Sequence, residues 1–213
     1  MNASQSCVLV VDDDNALREA LGRLFRSVGL SAQLFSSAAE LIQAPFPDGP
    51  TCLVLDVRMP GLSGLDLQSQ LSRQGRNVPI VFMTGHGDVP MSVQAMKAGA
   101  VDFLSKPFRD QEMLDAVTAA LERDRVSRRL EASMDVLRAR FETLTPRERE
   151  VFALVARGLL NKQIAHELGL AEVTVKIHRG NMMQKLGARG VVDLIGMADE
   201  LGVRRLRRDD GTR

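Results

Sequence analysis

Three aspartates, a threonine and a lysine stand out because each closes a short apolar run. Asp12 and Asp13 follow CVLVV, Asp56 ends TCLVL, Thr84 ends IVFM, and Lys106 follows VDFLS just ahead of Pro107. Carboxylates gathered in one place repel one another unless a cation sits among them. A donor set made only of oxygen suits Mg²⁺ (or Mn²⁺), which takes a few carboxylates and keeps waters and phosphate oxygens. A lysine and a hydroxyl facing that cation would hold the other oxygens of a transferred phosphoryl group. Asp56 is then the nucleophile, and its product is an acyl phosphate.

This chemistry requires the apolar runs to be strands of one sheet with their carboxyl ends together. Strands are expected over residues 7–13, 31–35, 51–56, 78–84 and 101–105. Three of them are nearly all apolar, as strands covered on both faces must be. Helical patterns lie between them at Ala16–Val28, Ser36–Gln43, Gly64–Gln74 and Val89–Ala98, and a fifth begins near Asp110. In the first, Leu17, Leu21, Leu24, Phe25 and Val28 recur at helical spacing. Such alternation predicts an α/β doubly wound, five-stranded parallel sheet with right-handed crossovers. Its functional site lies beyond the carboxyl ends of the strands. Asp14 is expected to cap the first helix. His86, in the glycine-flanked loop TGHGD, reads as a solvated loop residue.

The bulk properties narrow the class. No apolar run approaches the roughly 20 residues that span a bilayer. The start, MNASQSCVLVVDDD, has no basic segment before its apolar run, so a buried strand is expected and not a signal peptide. Cys7 and Cys52 both lie inside strand-like runs and read as reduced, buried hydrophobes. They point to a reducing, cytoplasmic setting. Charge is split: residues 1–124 hold 10 Lys/Arg against 15 Asp/Glu, a net of −5, and residues 125–213 hold 18 against 12, a net of +6. A basic second half suits a polyanionic partner.

The motifs VVDDD, LDVRMPGLSG, MTGHGD and DFLSKPF resemble those of the receiver domain of two-component response regulators, over about residues 5–123. The resemblance implies a flavodoxin-like fold. It assigns the phospho-acceptor to Asp56 and Mg²⁺ binding to Asp12, Asp13, Asp56 and the backbone carbonyl of Arg58. It assigns the switch hydroxyl to Thr84, the phosphate-binding lysine to Lys106 and the aromatic switch position to Phe103. It also implies a cis bond between Lys106 and Pro107. A dehalogenase-type phosphatase would need a second carboxylate two residues after the nucleophile, where Arg58 stands. No enzymatic turnover is therefore expected beyond self-phosphorylation and self-dephosphorylation at Asp56.

From about Asp110 to Arg140 there is neither proline nor glycine, so one long helix or two in tandem is expected as a helical linker, residues 124–142. Leu114, Val117 and Leu121 should pack at its start. Leu130, Met134, Leu137 and Phe141 repeat at steps of four and three, like a coiled-coil seam. Only helical signals follow. Thr145–Pro146 with Glu148 has the form of a capping box with proline at the first helical position. Asn161 is placed to cap a short helix, and Gly169 to supply a turn of positive φ. A further helix starts near Glu172. Wound at about 100° per residue, it turns Val175, Met182 and Leu186 to one side, with His178 near their edge. The opposite side carries Val173, Lys176, Ile177, Gly180, Asn181 and Gln184. Lysine, amides and exposed β-branched residues suit the base edges and thymine methyls of a major groove. Thr174, Lys162 and Lys185 are placed to hold phosphates. His166 reads as a surface residue, and Arg179 as a structural ion-pair partner of Glu148.

This segment, most specifically TVKIHRGNMMQKLGA, resembles the LuxR-type helix-turn-helix over about residues 143–200. With the receiver it gives the NarL/FixJ class of regulators. The resemblance implies that Glu172–Gly187 is the recognition helix of a small all-α domain, residues 143–203, ahead of a disordered tail, residues 204–213. It implies a cytoplasmic transcriptional regulator, phosphorylated by a sensor histidine kinase and binding double-stranded promoter DNA. RNA polymerase is a further partner for such a protein. The phosphorylated form is expected to dimerise through a face that includes Val93 and Lys97, where two half-sites would be read by one symmetric pair. The competing expectation is a signalling adaptor whose C-terminal bundle docks a protein.

Overall fold

A computed structural model of the chain describes residues 5–85 and 89–203. It divides into two compact units, Met1–Arg129 and Leu130–Arg213. His86 and the tail, residues 204–213, lie outside the described residues, so the readings made for them stand as expectations.

In the first unit the apolar runs form strands β1 (Cys7–Val11), β2 (Ser31–Phe35), β3 (Thr51–Asp56), β4 (Ile80–Thr84) and β5 (Asp102–Ser105). Every pairing is parallel, in the order β2-β1-β3-β4-β5. The winding therefore reverses direction between β1 and β3, which opens a crevice at their carboxyl ends. Around the sheet lie α1 (Asn15–Ser27), α2 (Ala38–Gln43), α3 (Gly64–Arg73), α4 (Val89–Lys97) and the first part of α5 (Asp110–Glu142). Alternate strand residues enter opposite cores. Leu9, Val11, Leu53, Leu55 and Phe82 pack with Leu41 of α2 and Leu67 and Leu71 of α3. Val8, Val10, Cys52, Val54, Val81 and Met83 pack with Phe25 of α1 and Met113, Val117 and Leu121 of α5. Both cysteines are free and buried, and burial drives the Cys52 thiol far above its usual range.

Local signals set the helix ends. The Asp14 carboxylate accepts the Ala16 and Leu17 N–H groups at 2.8 and 3.2 Å. α2 begins at Ala38, two residues later than expected. There the Ser37 hydroxyl accepts the Glu40 N–H, and Glu40 in turn takes the Ser36 N–H at 2.7 Å. That reciprocal pair holds Ser36 and Ser37 outside the helix.

The expected linker is one continuous helix and divides between the two units. Asp124, buried on α5, accepts the Thr51 N–H at 2.8 Å and the Arg128 Nε–H at 2.6 Å. Arg128 also reaches the Asp48 carbonyl at 2.9 Å. Beyond residue 129, Leu137 is buried in the second unit, with Met134 and Phe141 packed against the same core. Three of the four residues of the coiled-coil-like repeat cover the chain's own helices, and Leu130 alone of the four is left 63% exposed.

The second unit continues with α6 (Pro146–Ala156), α7 (Asn161–Leu168), α8 (Glu172–Leu186) and α9 (Val191–Glu200). Thr145 and Glu148 form the expected capping box, with Pro146 in the first turn. Gly169 ends α7 at φ 65°. Val151, Phe152, Val155, Ile164, Val175, Met182, Leu186 and Leu194 make the core.

Candidate functional site

Each residue of the rim owes its place to a strand end. β1 delivers Asp12, β3 ends on Asp56, β4 ends on Thr84, and Lys106 follows β5. Their convergence is direct. One carboxylate oxygen from each of Asp12, Asp13 and Asp56 lies within 4.8 Å of the other two. The Lys106 ammonium donates to Asp12 at 2.6 Å and to Asp56 at 2.9 Å. Asp12 is fully buried, Asp56 and Thr84 are buried, and Asp13 is exposed. Asp12 also accepts the Asp14 N–H at 2.8 Å, and Asp56 the Arg58 N–H at 3.2 Å. The Lys106 N–H bonds the Thr84 carbonyl at 2.6 Å, and the Lys106–Pro107 bond is cis.

The electrostatics follow from burial. Desolvation raises the Asp12 carboxyl above its usual range, against the hydrogen bonds from Lys106 and the Asp14 N–H that lower it. For Lys106, burial opposes the charge, but the hydrogen bonds to Asp12 and Asp56 outweigh it and the pKa rises. Three oxygen donors clustered with one ammonium leave the site rich in negative charge. The donor chemistry fits a hard divalent cation of the Mg²⁺ kind.

Gly64 sets the loop after Asp56. A Cβ there would lie 2.5 Å from the Asp56 carbonyl oxygen, and the Gly64 N–H bonds the Val57 carbonyl at 3.0 Å. The first turn of α3 is thus pressed against the strand that carries Asp56. Arg18 is a site residue that sequence reasoning missed. Its guanidinium donates to the Asp12 carbonyl at 2.6 Å and to Asn15 at 2.9 Å. Nothing in its spacing separates it from the other surface arginines of α1. Phe103 is half-buried, its ring 6.3 Å from that of Phe82. Val93 and Lys97 are exposed on α4.

In the second unit α8 buries Val175, Met182 and Leu186 completely, and His178 is intermediate. Val173, Lys176, Ile177, Gly180, Asn181 and Gln184 are all exposed. Ile177 at 58% and Val173 at 63% are apolar groups that folding leaves in water. Lys162 and His166 are exposed on α7, and Thr174 is half-buried. Two expectations need correction. Glu148 is paired with Lys185, at 2.7 Å, and not with Arg179. Arg179 instead donates to Asn161 at 2.8 Å, so it ties α8 to α7 through an amide. Asn161 is therefore not the cap of α7; Leu160 occupies that position, and the Gln163 side chain takes its N–H at 2.8 Å. Lys185 also donates to the Thr143 carbonyl at 3.3 Å.

A parallel sheet of this order, with an aspartate cluster and a lysine at its carboxyl edge, defines a receiver domain. The unit beyond it is a helix-turn-helix domain. Residues 8–118 match the response regulator receiver domain, and residues 142–198 match the bacterial regulatory proteins of the luxR family. The chain belongs to the response regulators that join these two domains, and it is homologous to transcriptional regulators. It is 58% identical to nodulation protein W of Bradyrhizobium diazoefficiens, over 94% of this chain and 88% of that protein. It is 46% identical to the response regulator protein TodT of Pseudomonas putida, with the same coverage. Among solved structures, that of the response regulator StyR is 48% identical, with a TM-score of 0.81, covering 92% of this chain and 99% of that one. Among the described residues, no helix is long and apolar enough to cross a membrane.

Proposed function

We propose that Asp56 is the phospho-acceptor of this response regulator, that a sensor histidine kinase is its donor, and that phosphorylation promotes dimerisation and binding to promoter DNA. The observation that carries the reading is the position of Asp56, within reach of both the Asp12–Asp13 pair and the Lys106 ammonium. Asp12, Asp13, Asp56 and the Arg58 carbonyl would hold Mg²⁺, which when bound neutralises charge on the phosphoryl oxygens. A carboxylate oxygen of Asp56 attacks the phosphorus of a phosphohistidine. The new O–P bond forms as the P–N bond breaks, and the imidazole nitrogen departs with the electron pair. Lys106 then moves from its contact with Asp56 to a phosphoryl oxygen. The Thr84 hydroxyl takes another, which draws the end of β4 inward and frees space beneath Phe103. The α4–β5 face, with Val93 and Lys97, is the surface that responds.

Dimer creation is favoured over a standing dimer, because Met134, Leu137 and Phe141 already serve the core of their own domain. Shifting such a chain from mostly inactive to mostly active takes about 5.5 kcal/mol of differential stabilisation. The phosphoryl group and a new interface together supply it. On DNA, the exposed face of α8 reads bases, with Lys162 and Thr174 against the backbone. A small phosphodonor tests the first step. Wild type gains the mass of one phosphate only with Mg²⁺ present, and Asp56→Asn gains none. Equal gain by Asp56→Asn refutes the assignment.

A further inference from the structure

We propose that Gly180 is the point at which the backbone of α8 lies against the base edges of bound DNA, its missing side chain setting how deeply the helix inserts. This rests on the reading of α8 as the DNA-reading helix and adds to it a specificity-determining position that makes no side-chain contact.

Gly180 is the ninth of the 15 residues of α8, well inside the helix. An interior glycine destabilises a helix relative to alanine, because it orders a more flexible backbone and buries nothing. Two requirements inside a protein normally retain one, and neither applies. Gly180 does not have the positive φ seen at Gly169 and Gly187. Nor does packing exclude a side chain: a Cβ at Gly180 would meet nothing within 4 Å, whereas at Gly64 it would strike the backbone at 2.5 Å. Alanine would fit the folded chain without contact and would strengthen the helix. The reason for glycine therefore lies outside the chain.

Its surroundings say what approaches. Lys176 and Gln184 stand one turn before and one turn after it, Ile177 lies three residues before, and Asn181 is adjacent; all are exposed. Gly180 is thus the centre of the face that carries the cation, the amides and the uncovered apolar groups. A helix with its side chains is about 10–12 Å across and a B-DNA major groove about 12 Å wide, so the fit is close. Leaving out the central side chain lets the axis sink further. The short Asn181 amide then reaches a base edge that it would miss from a shallower position. Gly196 of α9 is similarly open. The side chains around it include Asp193 and Glu200, which repel a polyanion, so the inference reaches DNA only at Gly180.

The test uses the full chain, a duplex selected by the wild type from a randomised pool, and a random duplex of equal length. Gly180→Ala is expected to melt at a higher temperature than wild type. It should bind the selected duplex about tenfold more weakly or worse, a loss typical of one good base contact, and bind the random duplex within about twofold. Gly180→Leu should lose more on the selected duplex. A Gly180→Ala protein that melts higher and binds the selected duplex as well as wild type overturns the inference and leaves the DNA reading intact. A lower melting temperature overturns its premise that the position is sterically open. A wild type that enriches no duplex at all removes the DNA reading itself, and this inference with it.

Discussion

Replacing Lys185 by alanine separates a structural role from a DNA-contacting one. The Glu148 side chain is 4% exposed, and Lys185, 35% exposed, is its cationic partner at 2.7 Å. Truncation leaves a carboxylate buried with the Thr145 N–H at 2.8 Å as its remaining strong donor. Breaking a fully buried pair from one side costs roughly 3–5 kcal/mol. Because Lys185 is partly hydrated and Glu148 keeps its capping bond, about 2 kcal/mol is expected here. In a domain of this size that lowers the melting temperature by about 10 °C. The effect depends on pH with a definite sign. Burial raises the Glu148 pKa, but the hydrogen bonds from Lys185 and Thr145 outweigh it, so the folded value lies below the ordinary 4.5. The pair's stabilisation is therefore fully present above about pH 4.5 and disappears as pH falls through the folded pKa. The difference between wild type and Lys185→Ala should shrink with it. Calorimetry of the full chain follows the transition of the second unit, and binding across a salt series gives the slope of log K against log salt. A phosphate-contacting lysine would reduce that slope by about one unit and leave stability alone. A reduced slope with an unchanged melting transition would falsify the structural assignment.

Three further outcomes are expected. Asp124→Ala strips the Thr51 N–H and Arg128 of their shared carboxylate and should destabilise the receiver by about 2–3 kcal/mol, read as a lower denaturant midpoint; a shift below about 0.5 kcal/mol counts against this role for Asp124. Lys176→Ala should cost roughly 1–3 kcal/mol on a selected duplex and relax base preference, and equal losses on selected and random duplexes would remove its readout role. Sedimentation at micromolar concentration should give a monomer that becomes a dimer with phosphodonor and Mg²⁺; a full dimer without phosphodonor refutes dimer creation.

The rim was legible from sequence because its residues sit at fixed places in a repeating local grammar. An apolar run becomes a strand, and the polar residue that closes it falls at the carboxyl edge wherever the strand lies. The faces of α8 were equally legible, since helical period alone divides Val175, Met182 and Leu186 from Lys176, Ile177 and Asn181. Caps at Asp14 and Thr145 needed only neighbours three or fewer residues away. What a periodic pattern leaves open is which surface covers it. The repeat of Leu130, Met134, Leu137 and Phe141 reads the same whether its partner is another chain or the chain's own Phe152, whose ring lies 5.6 Å from that of Phe141. The expectation of Arg179 as the cation for Glu148 fails for the same reason: Arg179 and Lys185 lie on one helix, and its rotation against α6 decides which ammonium or guanidinium arrives. Arg18 against the Asp12 carbonyl, and Asp124 against a strand amide 73 residues away, are likewise set by packing. Sequence spacing fixed what each segment offers, and only the packed chain brought the distant partners within hydrogen-bonding distance.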